Sequence, residues 1–352
     1  MYLSGLGTAV PPLRISQTEC WDAFQRSPEL AKLDSRSQIL LRRVLLGQNG
    51  IATRHIAVAE LDEAFVLTPD ALHGRFAQHA PRLATEAAQR ALVAARLTSA
   101  DIDAVLISTC TGYLCPGLTS YVSENLGLRP DVLALDLVGQ GCGAALPNGR
   151  TAEALLTAGR ARHVLCICVE ICSAAFFLDN DPGVLISACL FGDGAAAAVW
   201  SAAPAEHARR VEWITASSAH SPADRDELRF EHHGGLLRNV LTRAVPALAA
   251  RHAAQVLDDV LRVAAIEQAE ITGWILHAGG REVLSALQSQ MKLQAPDLRW
   301  SAGILNDYGN LSSPFVYFVL QQALSETAPG GWWWMSSFGA GFSCHGALLK
   351  VD

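Results

Sequence analysis

Apolar and polar positions follow two periods along this chain. APRLATEAAQRALVAARL (80–97) spaces its apolar side chains as a helix does. IDAVLIST (102–109), VLALDLV (132–138) and HVLCICVE (163–170) are short, continuous apolar runs that read as buried strands. Between the last two lies GRTAEALLTAGRA (149–161), helical again. The second half repeats the plan: LTRAVPALAARHAAQVLDDVLRVA (241–264) as helix, ITGWILHAG (271–279) as strand into loop, PFVYFVLQQALSE (314–326) as helix. Each half closes on a glycine-studded apolar segment, LFGDGAAAAVW (190–200) and SFGAGFSCHGALL (337–349). The alternation predicts an α/β protein. The repetition predicts two duplicated halves, 1–216 and 217–352, joined by the polar stretch SSAHSPADRDELRFEHHGG (217–235) with a surface loop in it.

Composition narrows the setting. Half of the 352 residues are hydrophobic and 17% are charged, yet no apolar run reaches the roughly 20 residues that span a bilayer. The first residues, MYLSGLGTAVPPLRIS, lack the basic start and long apolar stretch of a secretory leader, so the expected location is the cytoplasm. With 27 basic against 34 acidic residues, a net charge of −7 and no basic stripe, nucleic acid is not an expected partner. The nine cysteines lie mostly inside apolar runs, as small buried hydrophobes do. In CICVEIC, Cys166 and Cys168 alternate with Ile and Val as on a buried strand, and no second CxxC pair matches them, so no metal site is expected.

Candidate chemistry begins at LVGQGCGAALPNG (137–149), where Cys142 stands between Gly141 and Gly143, after a strand-like run and before a helix-like one. Amides at a helix start favour a thiolate, which suits a nucleophile; the plainer reading is a packing residue in a glycine turn. His277 ends the apolar run GWILH before AGG, and Asn310 follows Gly309 in NDYGNLSSP. Either alone is as well explained by structure. Together, Cys142, His277 and Asn310 can do thioester chemistry, the thiolate taking an acyl group while imidazole and amide donate to an oxyanion. Papain-like proteases use the same order of residues, but their cysteine lies near the mature N-terminus in a C-G-[SA]-C-[WY] setting. A cysteine hydrolase is therefore the weaker alternative.

These residues carry a resemblance. GQGCGAALPNGRTAEAL, ACLFGDGAAAAV, WILHAGGREVL, NDYGNLSSP and SFGAGFS occur in the order found in type III polyketide synthases of the chalcone and stilbene synthase superfamily, and STCTGYLCPG and LGLRPDV match as well. The resemblance implies a thiolase-like fold of two five-stranded α/β halves in αβαβα layers, a homodimer, and a catalytic trio of Cys142, His277 and Asn310. It further implies that Cys142, held as a thiolate by His277, carries an acyl group taken from an acyl-CoA. His277 and Asn310 then stabilise the enolate left when malonyl-CoA loses carbon dioxide. Coenzyme A thioesters are the substrates, and no metal or redox cofactor is implied. A resorcinol, phloroglucinol or pyrone ring is the implied product. A ketoacyl synthase III-like enzyme that condenses once, or a silent member that only binds acyl-CoA, are the alternatives.

By the same resemblance, Phe191 matches a gatekeeper between coenzyme A tunnel and reaction cavity, and Ser312, Thr109 and Cys110 match positions that shape the cavity. A cysteine at position 110 is common in bacterial members. Cys115 matches a residue that reaches into the partner's cavity, and Asn239 aligns with a second gatekeeper that is usually phenylalanine. Arg42, Arg43 and Arg54 are the cations available for the coenzyme A phosphates. Ser337 and Ala340 replace a glycine and a proline of the family's GFGPG loop. Glu170 and Asp193 are expected to be structural, and a buried Glu170 needs hydrogen-bonding partners.

Overall fold

The computed structural model describes residues 1–326 and 328–352. Strand β1 (Tyr2–Ala9) opens the chain, and a ribbon of β2 (Arg14–Ser16) and β3 (Thr53–His55) brackets helices α1 (Gln17–Arg26), α2 (Pro28–Ala31) and α3 (Ser35–Leu45). Each of these helices starts on a side-chain cap, Ser16, Ser27 and Asp34 in turn. Then follow α4 (Pro69–Ala95), β4 (Ala104–Thr109), α5 (Leu118–Leu126), β5 (Leu133–Val138), α6 (Ala145–Thr157), β6 (His163–Glu170), α7 (Pro182–Leu190) and β7 (Gly194–Ser201). The second half comprises β8 (Val211–His220), the hairpin β9 (Leu228–His233) and β10 (Leu236–Leu241), α8 (Val245–Ala264), β11 (Ile271–Leu276), α9 (Arg281–Met291), α10 (Arg299–Tyr308), α11 (Phe315–Ser325), β12 (Gly331–Gly339) and β13 (Ser343–Val351).

Nine strands form one sheet in the order β11-β12-β13-β8-β1-β7-β6-β4-β5. The duplication is visible outward from the joint, where β1 meets β8 at Tyr2 and Glu212. On one side come β1, β7, β6 and β4; on the other β8, β13, β12 and β11, with matching antiparallel and parallel pairings. This is the expected thiolase-like α/β plan. Five strands belong to the first half and four to the second. After α9 the chain passes through a 3-10 turn (Ala295–Leu298) straight into α10, so among the described residues no strand fills the place that β5 takes in the first half.

Strands β6 and β7 are buried on both faces, which is why their sequences run apolar without a break. Leu165, Ile167, Ala195, Ala197 and Val199 share a core with the alanine face of α4, while Cys166, Cys168, Ala196, Ala198 and Trp200 share one with α6, α8 and α11. Helix α4 lies so close to β1 that a Cβ on Gly5 would fall 2.2 Å from the Ala91 carbonyl oxygen, and one on Gly7 would fall 2.4 Å from that of Ala87.

Several boundaries differ from expectation. Helix α4 starts at Pro69, eleven residues before the expected 80, because Thr68 caps it and the buried Pro81 is carried inside it rather than ending it. Helix α6 runs four residues earlier than 149–161, its C-terminal end followed by Gly159 at φ 65°. Residues 217–235 are not an open connection: they complete β8, make a 3-10 turn (Pro222–Glu227) and form β9, with the reversal at Gly234 and Gly235. Residue 216 thus sits within β8, a strand paired along its length with β13. Strand β5 is present, but it is an edge strand paired only with β4, and it exposes Leu133, Leu135 and Val138 instead of burying them.

Candidate active site

Cys142 sits in a 3-10 turn (Gly141–Gly143) between β5 and α6. The flanking glycines admit the 339–341 loop. A Cβ on Gly141, whose φ is 55°, would lie 2.9 Å from the Ala340 nitrogen, and one on Gly143 would lie 3.2 Å from the Gly339 nitrogen. Ser337 ties the two segments together by donating to the Gly143 carbonyl at 3.0 Å.

Asn310 occupies an equivalent place in the second half, just before α11. Gly309 (φ 70°) lets the chain pass Leu190, where a Cβ would come 2.6 Å from the carbonyl oxygen. The Asn310 amide donates to the Gly279 carbonyl at 3.2 Å and accepts from the Ser312 N–H at 2.8 Å. His277 follows β11, its backbone N–H bonded to the Ser336 carbonyl. Its ring stands edge-on to Phe315 and Phe338, with centroids 5.2 and 5.0 Å away. The residue is 1% exposed, and neither ring nitrogen has a hydrogen-bond partner. Burial pulls its pKa down to about 3, so the imidazole is neutral.

All three residues line one cavity of about 1090 Å³. The thiol's nearest polar partner is not His277. Cys142 Sγ lies 3.2 Å from Ser312 Oγ, and Ser312 Oγ lies 3.3 Å from Glu170 Oε1. Burial pushes the Cys142 pKa up to about 12, with the Ser312 hydrogen bond acting against it and Glu170 adding to it. Desolvation of the buried thiol outweighs one short turn of amides and acts against the thiolate expected at a helix start.

Glu170, at the end of β6, is wholly buried and accepts three contacts on each oxygen. Oε2 takes the Thr109 hydroxyl (3.2 Å), the Cys110 N–H (3.0 Å) and the Thr111 hydroxyl (2.9 Å); Oε1 takes the Cys110 thiol (3.3 Å) and the hydroxyls of Ser312 and Ser313 (3.3 and 2.6 Å). Burial raises its pKa against those hydrogen bonds. A second, inner cavity, lined by Phe24, Phe65, Phe176 and Phe230 among others, also reaches Cys142; the first, bordered by the exposed Arg36 and Arg43, is the outer cavity. Phe191 borders both cavities.

Comparison with known proteins decides the family. Residues 2–204 match the profile of the N-terminal domain of chalcone and stilbene synthases, and residues 227–351 match that of their C-terminal domain. The chain belongs to the chalcone and stilbene synthase family. It is a type III polyketide synthase, a condensing acyltransferase. Among its relatives are the 1,3,6,8-tetrahydroxynaphthalene synthase of Streptomyces peucetius subsp. caesius, 31% identical over 99% of this chain and 92% of that protein, and the 3,5-dihydroxyphenylacetyl-CoA synthase of Amycolatopsis orientalis, 27% identical over 99% and 92%. The structure of PKS-I from the brown alga Ectocarpus siliculosus superposes with a TM-score of 0.90 at 25% identity, covering 99% of this chain and 98% of that one.

The remaining residues singled out in the synthase take different places. Cys110, Ser312 and Asn239 line the inner cavity, Asn239 donating to the Ser187 hydroxyl at 2.9 Å. Thr109 turns to Glu170, and Thr111, which the sequence did not mark, takes a place in the cavity wall. Cys115 is exposed and lines neither cavity. Of the three arginines proposed for phosphates, Arg43 lines the outer cavity and Arg42 does not. Arg54 is buried at the wall of the inner cavity, donating to Gln17, to the carbonyls of Ala188 and Phe191, and to Cys20; it braces the backbone of Phe191. The outer cavity instead gains Arg36, Arg243 and Arg281 from separate elements, with no local signal to join them. Asp193 is structural as expected, accepting from Ala57, from the Ser173 N–H and from the Ser173 hydroxyl. No helix among the described residues is long and apolar enough to cross a membrane.

Proposed function

We propose that this synthase loads an acyl group from an acyl-CoA onto Cys142 and extends it with malonyl-CoA. The observation that carries the reading is the convergence of Cys142, His277 and Asn310 on one cavity, with Cys142 and Phe191 also bordering a second. A substrate thioester enters through the outer cavity, where Arg36, Arg43, Arg243 and Arg281 offer guanidinium groups for phosphate oxygens. The neutral His277 ring and the Asn310 amide donate to the malonyl thioester oxygen. As carbon dioxide leaves, charge develops on that oxygen, and two fixed donors in a water-poor site stabilise it. The enolate carbon attacks the acyl carbonyl, the bond to sulfur breaks, and Cys142 is released for another round. No step calls for a metal or a redox cofactor.

The inner cavity's aromatic wall suits an apolar acyl starter, and repeated extension leads to a resorcinol, phloroglucinol or pyrone ring. The relatives named for naphthalene, phenylacetyl and pyrone products are in keeping with that range. The exposed apolar edge of β5 is suited to a second copy of the chain, which supports a homodimer.

The test is mass spectrometry of intact protein and products after incubation with malonyl-CoA and a panel of acyl-CoA starters, for wild type and Cys142→Ala. The expected result is an acyl adduct on Cys142 and products heavier by repeated two-carbon ketide units, both lost in the variant. A product one unit longer and no more would make the enzyme a single-step condenser. No adduct and no decarboxylation by folded protein would overturn the reading.

A further inference from the structure

Arg54 is a buried cation whose hydrogen-bond acceptors include no carboxylate. Its Nε donates to Gln17 Oε1 at 3.1 Å, its Nη1 to the carbonyls of Ala188 at 3.0 Å and Phe191 at 2.8 Å, and its Nη2 to Cys20 Sγ at 3.0 Å. Taking a guanidinium out of water is costly unless something of opposite sign meets it. Here the opposite sign is the C-terminal end of α7, where the last carbonyls form the negative end of the helix dipole. Each of those carbonyls has its donor. Arg54 serves Ala188 and Phe191, the Gln17 side-chain amide serves Cys189 at 3.0 Å, and the backbone N–H of Asn310 serves Leu190 at 2.9 Å. Asn310 is therefore part of the cap of α7.

The same junction holds Phe191. Phe191 and Asn310 pair as an isolated parallel β-bridge, with the Gly192 N–H donating to the Asn310 carbonyl at 3.0 Å. Two glycines let the segments touch. A Cβ on Gly309 would fall 2.6 Å from the Leu190 carbonyl oxygen and 2.9 Å from Arg54 Cγ, and one on Gly192 would fall 2.5 Å from the Tyr308 carbonyl oxygen. Strand β3, which carries Arg54, is bound to both sides: the His55 carbonyl accepts from the Asp193 N–H at 2.8 Å, and Thr53 donates to the Asp307 carbonyl at 2.6 Å. Phe191 from the first half and Asn310 from the second are thus set in one joint, with the guanidinium in it.

We propose that Arg54 is a positioning residue for decarboxylation, acting through the cap of α7 to present the Asn310 amide to the malonyl thioester. The proposal rests on the reading of Asn310 as a donor to the developing oxyanion. Arg54 exchanges no proton and touches no reacting atom. Its planar fork reaches two carbonyls three residues apart and the Gln17 amide at once, which a single ammonium does not do. Without the fork the end of α7 has orphaned carbonyls, and the Leu190 to Asn310 contact must hold the register of the joint alone. A small displacement of the Asn310 amide then weakens its bond to the oxygen on which charge develops.

The test joins hydrogen–deuterium exchange to a double-mutant cycle on the decarboxylation of malonyl-CoA, followed by mass spectrometry as acetyl-CoA. Full chains of wild type, Arg54→Met, Arg54→Lys, Asn310→Ala and the double variant Arg54→Met with Asn310→Ala are compared, each checked for folding by circular dichroism. If Arg54→Met does not fold, Arg54→Lys, which keeps the charge, takes its place in the cycle. Exchange over residues 190–193 and 309–312 should be faster by about tenfold in Arg54→Met, and exchange in β6 and β7 should not change. Decarboxylation should fall by about 10²-fold in Arg54→Met and about tenfold in Arg54→Lys, in kcat rather than in KM for malonyl-CoA. With Asn310→Ala already present, Arg54→Met should slow the reaction by less than about twofold more, because the amide it positions is gone. A merely structural role would instead give the same loss in both backgrounds. That result, or a folded Arg54→Met with wild-type exchange over 190–193 and 309–312, would overturn the proposal. Faster exchange there in the Arg54 variants, with no decarboxylation by wild type, would uphold the positioning of Asn310 by Arg54 and sink the synthase reading instead.

Discussion

Glu170 and His277 are both buried beside the cavity that holds Cys142, and their surroundings are opposite. Glu170 has three contacts on each oxygen; His277 has none on either nitrogen. A fully engaged carboxylate is part of the framework, fixed by β4, β6 and the 312–313 turn before substrate arrives. An imidazole without partners costs stability, since each buried unpaired polar group is worth about 1–3 kcal/mol. Its one N–H donor is left for a ligand. The contrast teaches that one buried group is spent on the framework while the other is left unspent where charge is to develop.

The largest expected effect separates these two roles by sign. His277→Leu should cut polyketide formation by about 10²–10³-fold, the loss typical of one oxyanion donor. The same change should raise stability in chemical denaturation by about 1 kcal/mol, because an orphaned polar ring is replaced by an apolar side chain. Glu170→Leu should instead lower stability by about 3 kcal/mol, leaving the Cys110 N–H without an acceptor. If both variants moved stability in the same direction, the contrast between engaged and waiting groups would fail.

A smaller effect follows from pH. The His277 pKa is depressed from 6.5 to about 3, so its folded form refuses a proton that the unfolded chain accepts. The stability tied to the neutral ring is complete above pH 6.5 and is lost progressively as pH falls towards 3. Between pH 7 and 5 this amounts to about 2 kcal/mol. His345, whose pKa burial lowers to about 4, contributes a loss of the same sign, so the measurement is the difference between wild type and His277→Leu. The variant should lose less stability on acidification, and parallel curves would show that His277 is not the ring being excluded from protonation.

Legibility from sequence followed the range of the signals. Cys142 and Asn310 each adjoin a glycine and His277 stands two residues before one, all at the end of an element, and that local punctuation marked all three for one cavity. The duplicated plan of the two halves was likewise carried by the repeated pattern of runs. What the pattern missed depends on distant partners. Arg54 reads as a solvated cation until tertiary packing surrounds it with Gln17, Cys20 and two carbonyls. Thr111 and Ser313 meet Glu170 from segments far apart in the chain, and no periodicity joins them. The start of α4 was hidden because a proline inside a helix ordinarily marks an end. The exposure of β5 depends on its place at the sheet edge, which its composition does not record.

The smallest effect sharpens the comparison most finely. Ser313 donates to Glu170 Oε1 at 2.6 Å and so supports the carboxyl. Ser313→Ala should cost about 1 kcal/mol of stability at neutral pH, the ordinary value of one buried hydrogen bond. With one donor fewer, the carboxyl holds a proton more readily, because burial raises its pKa and the Ser313 hydrogen bond opposes that rise. The cost should therefore shrink in acid, where the carboxyl is protonated in wild type and variant alike. A cost that stays the same at every pH would mean that Glu170 does not ionise in the folded protein.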